Sequence, residues 1–193
     1  STHLKDKKKF IDKLINELKE IQSTWEPLNK STIKGFQSDK NIFKNPKNKI
    51  FKLKSILLTE IDMYYEKFKG KKCSFISKWP QKKNLFGWHV ELKSQGYQTA
   101  HIHPSGWLSG VIYLKVVPSK NINEGAIEFS LNGRHYSDIN SPKEIYNPKI
   151  GDIVFFPSSL HHRTIPFTSD TNRIIISFDL IPDISIFKEL NFD

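Results

Sequence analysis

A change of hydrophobic rhythm at Pro80 constrains this chain more than any other feature. Up to that point apolar residues recur at helical spacing. Beyond it the sequence breaks into short β-branched and aromatic segments divided by Gly, Pro, Asn and Ser, the signature of an all-β sandwich or barrel. Eight such segments, near 86–93, 96–103, 107–117, 125–131, 144–147, 152–156, 160–166 and 173–181, suit a jelly roll. Before the switch, Phe10, Ile11, Leu14, Ile15, Leu18 and Ile21 mark an amphipathic helix closed by Thr24 to Pro27. Ile50, Leu53, Leu57, Ile61, Tyr64, Tyr65 and Phe68 mark a second, from about Lys49 to Lys69, with Gly70 as its stop. Residues 29–49, rich in Asn, Lys and Ser with Gly35 and Pro46, read as an ordered loop. The expected class is mainly β with flanking helices (α+β): a helical segment over 1–83 packed on a β core over 84–193, in one compact unit.

A length of 193 residues suits a single domain. No run of about 18 apolar residues is present to span a bilayer, and the basic start leads into an amphipathic pattern instead of a signal peptide, so a cytoplasmic location and no membrane partner are expected. The lone Cys73 excludes an intramolecular disulfide or a thiolate metal cluster, which leaves His and carboxylates as metal ligands. Residues 1–83 hold twenty-one lysines against nine acidic residues, whereas 84–193 hold nine basic and eleven acidic ones. The lysines form no recognisable binding motif, so a solvated surface is expected in preference to a nucleic-acid site. Only three basic residues are Arg: Arg134, Arg163 and Arg173. In a chain that uses Lys elsewhere, these are candidates for the two-pronged recognition of a carboxylate.

His101 and His103 lie two apart, so on a strand both rings project from one face and can chelate one metal. About sixty residues later a further strand carries His161 and His162, of which one can face inward. A closed jelly roll would bring it to the pair. Imidazoles with open coordination positions suit Fe(II) that must also bind oxygen and a bidentate co-substrate. Glu128 and Asp138 are carboxylates that could serve in place of a third histidine. Arg173 opens the strand that runs to Asp179 and needs an anion if buried, either a ligand or an acid such as Asp152 or Asp170. Trp107, Val111, Phe155 and Phe156 are candidates for the apolar walls of the cavity. Arg134, His135 and Tyr136 form a polar loop, read as a solvated turn with substrate contact as the alternative.

The segment from Trp88 to Leu180 resembles the double-stranded β-helix family of 2-oxoglutarate- and Fe(II)-dependent oxygenases, the group also found attached to tetratricopeptide repeats. The likeness is carried by Trp88 to Leu92, His101-Ile102-His103-Pro104 through Leu114, Gly151 to Ser158, His162 to Pro166 and Arg173 to Asp179. Gly35 to Ser38 before Asn41-Ile42-Phe43 is similar to the family's N-terminal segment. The resemblance implies iron on His101, His103 and His162, with His162 and not His161 as the distal ligand. It implies that Arg173 binds the distal carboxylate of 2-oxoglutarate, with Tyr113 and Ser177 in the same pocket. The implied reaction is hydroxylation of an unactivated C–H in an amino acid, peptide or small metabolite, with O2 consumed and succinate and CO2 released. One departure stands out. The wider superfamily places an acid where this chain has His103, so either three neutral imidazoles hold the iron or His103 is the first ligand and the acid is absent or supplied from elsewhere. Two rival readings follow: a cupin-type metalloenzyme with three histidines and no 2-oxoglutarate, in which Arg173 is structural, and a metal-binding module without turnover.

Overall fold

The computed structural model describes residues 2–118, 121–133 and 136–182, with side chains from residue 6 onward. Its first helix, α1 (Thr2–Lys19), leads into β1 (Ser23–Trp25) and β2 (Thr32–Ser38); then come α2 (Asn48–Phe68) and the short α3 (Ser74–Ser77). Seven further strands follow: β3 (Asn84–Gln98), β4 (Leu108–Lys115), β5 (Ile127–Ser130), β6 (Lys143–Tyr146), β7 (Ile153–Pro157), β8 (His161–Thr164) and β9 (Arg173–Ile181). They build a six-stranded sheet in the order β1-β2-β3-β9-β4-β7 and a three-stranded sheet in the order β6-β5-β8, all of it antiparallel. This is a double-stranded β-helix with helices laid on its larger sheet.

Strand alternation explains why β4 and β9 read as unbroken apolar runs. Leu108, Ile112, Leu114, Ile174, Ile176 and Phe178 point out of the barrel into a core shared with Leu14 and Leu18 of α1 and Leu53, Leu57 and Ile61 of α2. Val111, Tyr113 and Ile175 point the opposite way, into a second core with Val90, Leu92, Ile127 and Phe156. A sheet covered on both faces needs apolar residues at every position. Each fully buried Leu or Ile contributes about 1.5–3 kcal/mol over an exposed one, so the helical layer stabilises the sheet that carries the site. No Ser, Thr, Asp or Asn caps α2: Lys47 stands there without a side-chain cap. Glu17 of α1 supplies the cap, its carboxylate accepting from the Lys49 and Ile50 amides at 3.1 and 3.3 Å.

Two expectations need correction. The segment read as a loop over 29–49 contains β2, paired along β3, with β1 beside it. The strand escaped the hydrophobic pattern because its buried positions are largely polar and satisfied by each other, as where Thr32 Oγ1 donates to Gln37 Oε1 at 2.9 Å. Nor are 86–93 and 96–103 two strands. One strand runs through to Gln98, kinked at Gln95 (φ 62°), with the register against β2 shifting between Ile33–Tyr97 and Gly35–Leu92. Past Gln98 the backbone is irregular, apart from a single bridge between His101 and His162.

Gly110, on β4, faces Phe178 across the pair, and a methyl group there would overlap the Phe178 ring. Gly110→Ala is therefore expected to destabilise the fold by about 1–3 kcal/mol, read as a lower denaturation midpoint. An unchanged midpoint would mean that this outer core repacks freely.

Candidate metal and co-substrate site

His101 and His162 exchange backbone hydrogen bonds, His101 N to His162 O and His162 N to His101 O, both 3.1 Å. His103 follows and is anchored through its amide to Ser158 O at 2.9 Å. The two rings expected from strand alternation thus converge by a different route, through one bridge and a turn. Their Nε2 atoms lie 3.3 Å apart, and one donor atom from each of His101, His103 and His162 falls within 4.8 Å of the others.

Each ring is held from behind. His101 Nδ1 lies 2.6 Å from Thr99 O, His162 Nδ1 3.1 Å from Leu160 O and His103 Nδ1 2.6 Å from Asp179 Oδ1. Those acceptors draw the ring proton to Nδ1 and leave the Nε2 lone pairs pointing into the cavity, the arrangement a metal ligand needs. Burial keeps the His101 and His162 rings neutral. It lowers His101 to about 4, with His103 as a second cause, and His162 to about 2, aided by His101 and His103.

The pH consequence has a definite sign. A ring that stays neutral when folded but takes a proton near its ordinary 6.5 when unfolded makes the unfolded chain the better proton acceptor. Stability of the metal-free protein is complete above that value and is lost as pH falls, down to about 4 for His101 and about 2 for His162. By about pH 5 each ring should have cost about 2 kcal/mol. Urea midpoints measured at neutral pH and near pH 5 check this; equal midpoints would contradict the burial of these rings.

A second group lies deeper in the barrel. Arg173 is 2% exposed, donates Nε to Gly125 O at 3.1 Å and holds its guanidinium 5.1 Å from the centre of the Tyr113 ring. Its Nη1 and the Tyr113 hydroxyl are buried without a hydrogen-bond partner, and among the described residues no carboxylate forms an ion pair with it. Burial pulls the Arg173 pKa down and pushes Tyr113 up to about 12. Asp152 instead accepts from the Tyr146 hydroxyl at 2.7 Å and the Lys149 amide at 2.8 Å, while Asp170 is exposed. Ser177 is buried on β9 opposite Trp88 and Val111, on the same face as Arg173.

Other candidates fall elsewhere. His161 stands against Gly133, away from the cluster, because neighbours on a strand face opposite ways. Glu128 is taken by Arg163, whose Nε and Nη2 donate to its two oxygens at 2.8 and 2.9 Å. Asp138 accepts from the Asn140 amide in a turn. Val111 and Phe156 line the inner core, but Phe155 and Trp107 pack in the outer one, Trp107 donating Nε1 to Phe75 O at 3.0 Å. Arg134 and His135 lie outside the described residues; Tyr136 is exposed. The inner wall also includes Trp88, 5.2 Å from the His103 ring, and Phe129, 6.3 Å from His162. The sequence reading missed Asp179 as a partner of the site, although alternation from Arg173 through Ser177 puts it on the same face.

A double-stranded β-helix that carries three inward imidazoles and, among the described residues, a buried arginine without an acid partner has donors suited to a metal and a cation suited to an anion. Residues 87–179 match the sequence profile of the family described as "Putative 2OG-Fe(II) oxygenase". Over that segment, a little under half of the chain, the sequence matches a 2-oxoglutarate- and Fe(II)-dependent oxygenase domain, with iron, 2-oxoglutarate and O2 as its reactive set. Whole-sequence comparison with curated proteins gives no significant match.

Solved structures share the fold. A Pseudomonas putida prolyl-4-hydroxylase superposes with a TM-score of 0.61 at 12% identity, covering 91% of this chain and 88% of that one. HygX from Streptomyces hygroscopicus, solved with nickel and 2-oxoglutarate bound, gives 0.60 at 9%, covering 91% and 79%. A Trichoplax adhaerens prolyl hydroxylase, in complex with a hypoxia inducible factor peptide fragment, gives 0.64 at 11%, covering 96% and 82%. Among the described residues no helix is long and apolar enough to cross a membrane.

Proposed function

We propose that this oxygenase hydroxylates an unactivated C–H of an amino acid, peptide or small metabolite, with His101, His103 and His162 as the iron ligands and Arg173 as the clamp on the distal carboxylate of 2-oxoglutarate. The observation that carries the reading is Arg173, a buried guanidinium with an unpartnered Nη1 and, among the described residues, no ion-paired acid. Such a charge is costly unless an anion meets it, and a carboxylate matches its planar fork. Iron held by the three histidines would let O2 act as the oxidant of 2-oxoglutarate and substrate together, one oxygen atom entering succinate as CO2 leaves and the other entering the new hydroxyl.

The protein's share is orientation and exclusion of water. Thr99 O, Asp179 and Leu160 O hold the three rings so that Nε2 faces inward. Tyr113 packs under the Arg173 guanidinium and offers its free hydroxyl to the same carboxylate. Ser177 lies between Arg173 and Asp179 on the inward face of β9. Trp88, Phe129 and Phe156 surround the imidazoles with apolar surface, which strengthens every electrostatic contact inside. A cupin-type enzyme without 2-oxoglutarate would leave Arg173 without a counter-ion.

Anaerobic reconstitution with Fe(II), followed by succinate measurement in air with 2-oxoglutarate and panels of amino acids, peptides and metabolites, tests the reading. Succinate above the metal-free background, rising with one substrate class, is the expected result. None with any panel would count against it.

A further inference from the structure

On the reading that three neutral imidazoles hold the iron, the site lacks the negative charge that a carboxylate ligand would bring. We propose that Asp179 restores this charge from outside the coordination sphere, acting through His103 as a positioning residue. Asp179 Oδ1 lies 2.6 Å from His103 Nδ1, and each side chain is only 8% exposed. Nε2 of the same ring faces His101 Nε2 at 3.3 Å. The carboxylate therefore sits on the opposite side of the His103 ring from the cavity, and it is not among the side chains whose donor atoms cluster there.

Asp179 is poorly compensated for a buried acid. The Ser109 hydroxyl donates to the same Oδ1 at 2.6 Å and stands 2.8 Å from Ser158 Oγ. Among the described residues no lysine or arginine pairs with Asp179; the one charged-type partner is His103. Burying an acid whose partners are an imidazole and a hydroxyl, with no Lys or Arg among the described residues, is costly. A divalent cation on His103 Nε2 removes that cost, because it polarises the ring and strengthens the Nδ1–H bond to the carboxylate. The ring in turn becomes a better electron donor to the metal. The position is well fixed: Asp179 is paired with Phe86 and Ser109 in the central strand. A methyl group at Gly106 would come within 3.1 Å of its Cγ.

The test uses Asp179→Asn, nearly the same shape without the charge, and Co(II) alone as probe, without 2-oxoglutarate. Co(II) affinity is expected to fall by about 10–100-fold. In parallel, nitrogen NMR of metal-free wild-type protein should show His103 as the Nδ1–H tautomer, and the variant should shift toward Nε2–H because the Asn amide can donate to Nδ1. A merely structural role would not move the tautomer. Unchanged Co(II) affinity, or an Nε2–H tautomer in the wild type, would overturn the proposal. So would a loss as complete as that of His162→Ala, which would make Asp179 a ligand. Should the variant fail to fold, the wild-type tautomer still decides. Because neither readout needs turnover, failure here is distinct from failure to release succinate.

Discussion

His162→Ala should abolish both metal binding and succinate formation while leaving the barrel folded. The ring is one of three inward donors and the one that burial and its neighbours hold most firmly neutral, at about 2. Losing a partner behind a ligand typically costs 10–100-fold in metal affinity, so loss of the ligand itself should exceed about 100-fold. Fe(II) or Co(II) titration monitored by absorbance, with succinate measured on the same preparation, checks both. The ring also packs 4.4 Å from Phe156, so its removal leaves a gap, but the acid-sensitive loss of stability should become smaller because one buried neutral ring is gone. His161→Ala is the natural comparison, since that ring faces Gly133. If His161→Ala lost the metal and His162→Ala kept it, the ligand assignment would be wrong.

Arg173→Lys is expected to weaken 2-oxoglutarate binding to the Co(II)-loaded protein by about 2 kcal/mol, roughly 30-fold, because a single ammonium cannot copy the two-pronged fork. Arg173→Met should weaken it further, with an opposite effect on the free protein. A buried cation without a counter-ion is replaced by an apolar side chain of similar length, so the unliganded fold should keep or gain stability. Calorimetric titration and thermal melts separate the two effects. Unchanged affinity in both variants would make Arg173 structural and favour the cupin-type reading.

The sequence carried the site better than it carried the sheet. β9 was legible to the residue, 173–181, because a strand covered on both faces must be apolar throughout. The three histidines were legible through spacing, although their convergence depends on an irregular segment and one bridge that no alternation rule describes. β2 was hidden because its buried positions are largely polar and its partner β3 lies more than fifty residues on, and β1, a three-residue strand laid against β2, is largely exposed. Phe155 and Phe156 show the limit of composition: adjacent and alike, they serve different cores, and only the register of β7 against β4 separates them. The bond between Asp179 and His103 spans 76 residues and could be suspected from alternation on β9, but its partner could not be named.

Arg173, Ser177 and Asp179 are rungs on one face of a strand clamped on both sides, by β3 and by β4. Strand rise fixes the first and last of them at about 20 Å apart along the backbone. If, as proposed, Arg173 holds one end of a diacid and a metal on His103 holds the other, backbone hydrogen bonds fix where the Arg173 side chain and the Asp179 carboxylate behind His103 leave the strand. The barrel would then favour one length of diacid: a keto-diacid one carbon shorter or longer than 2-oxoglutarate would need the Arg173 side chain to shift if both contacts are to be kept.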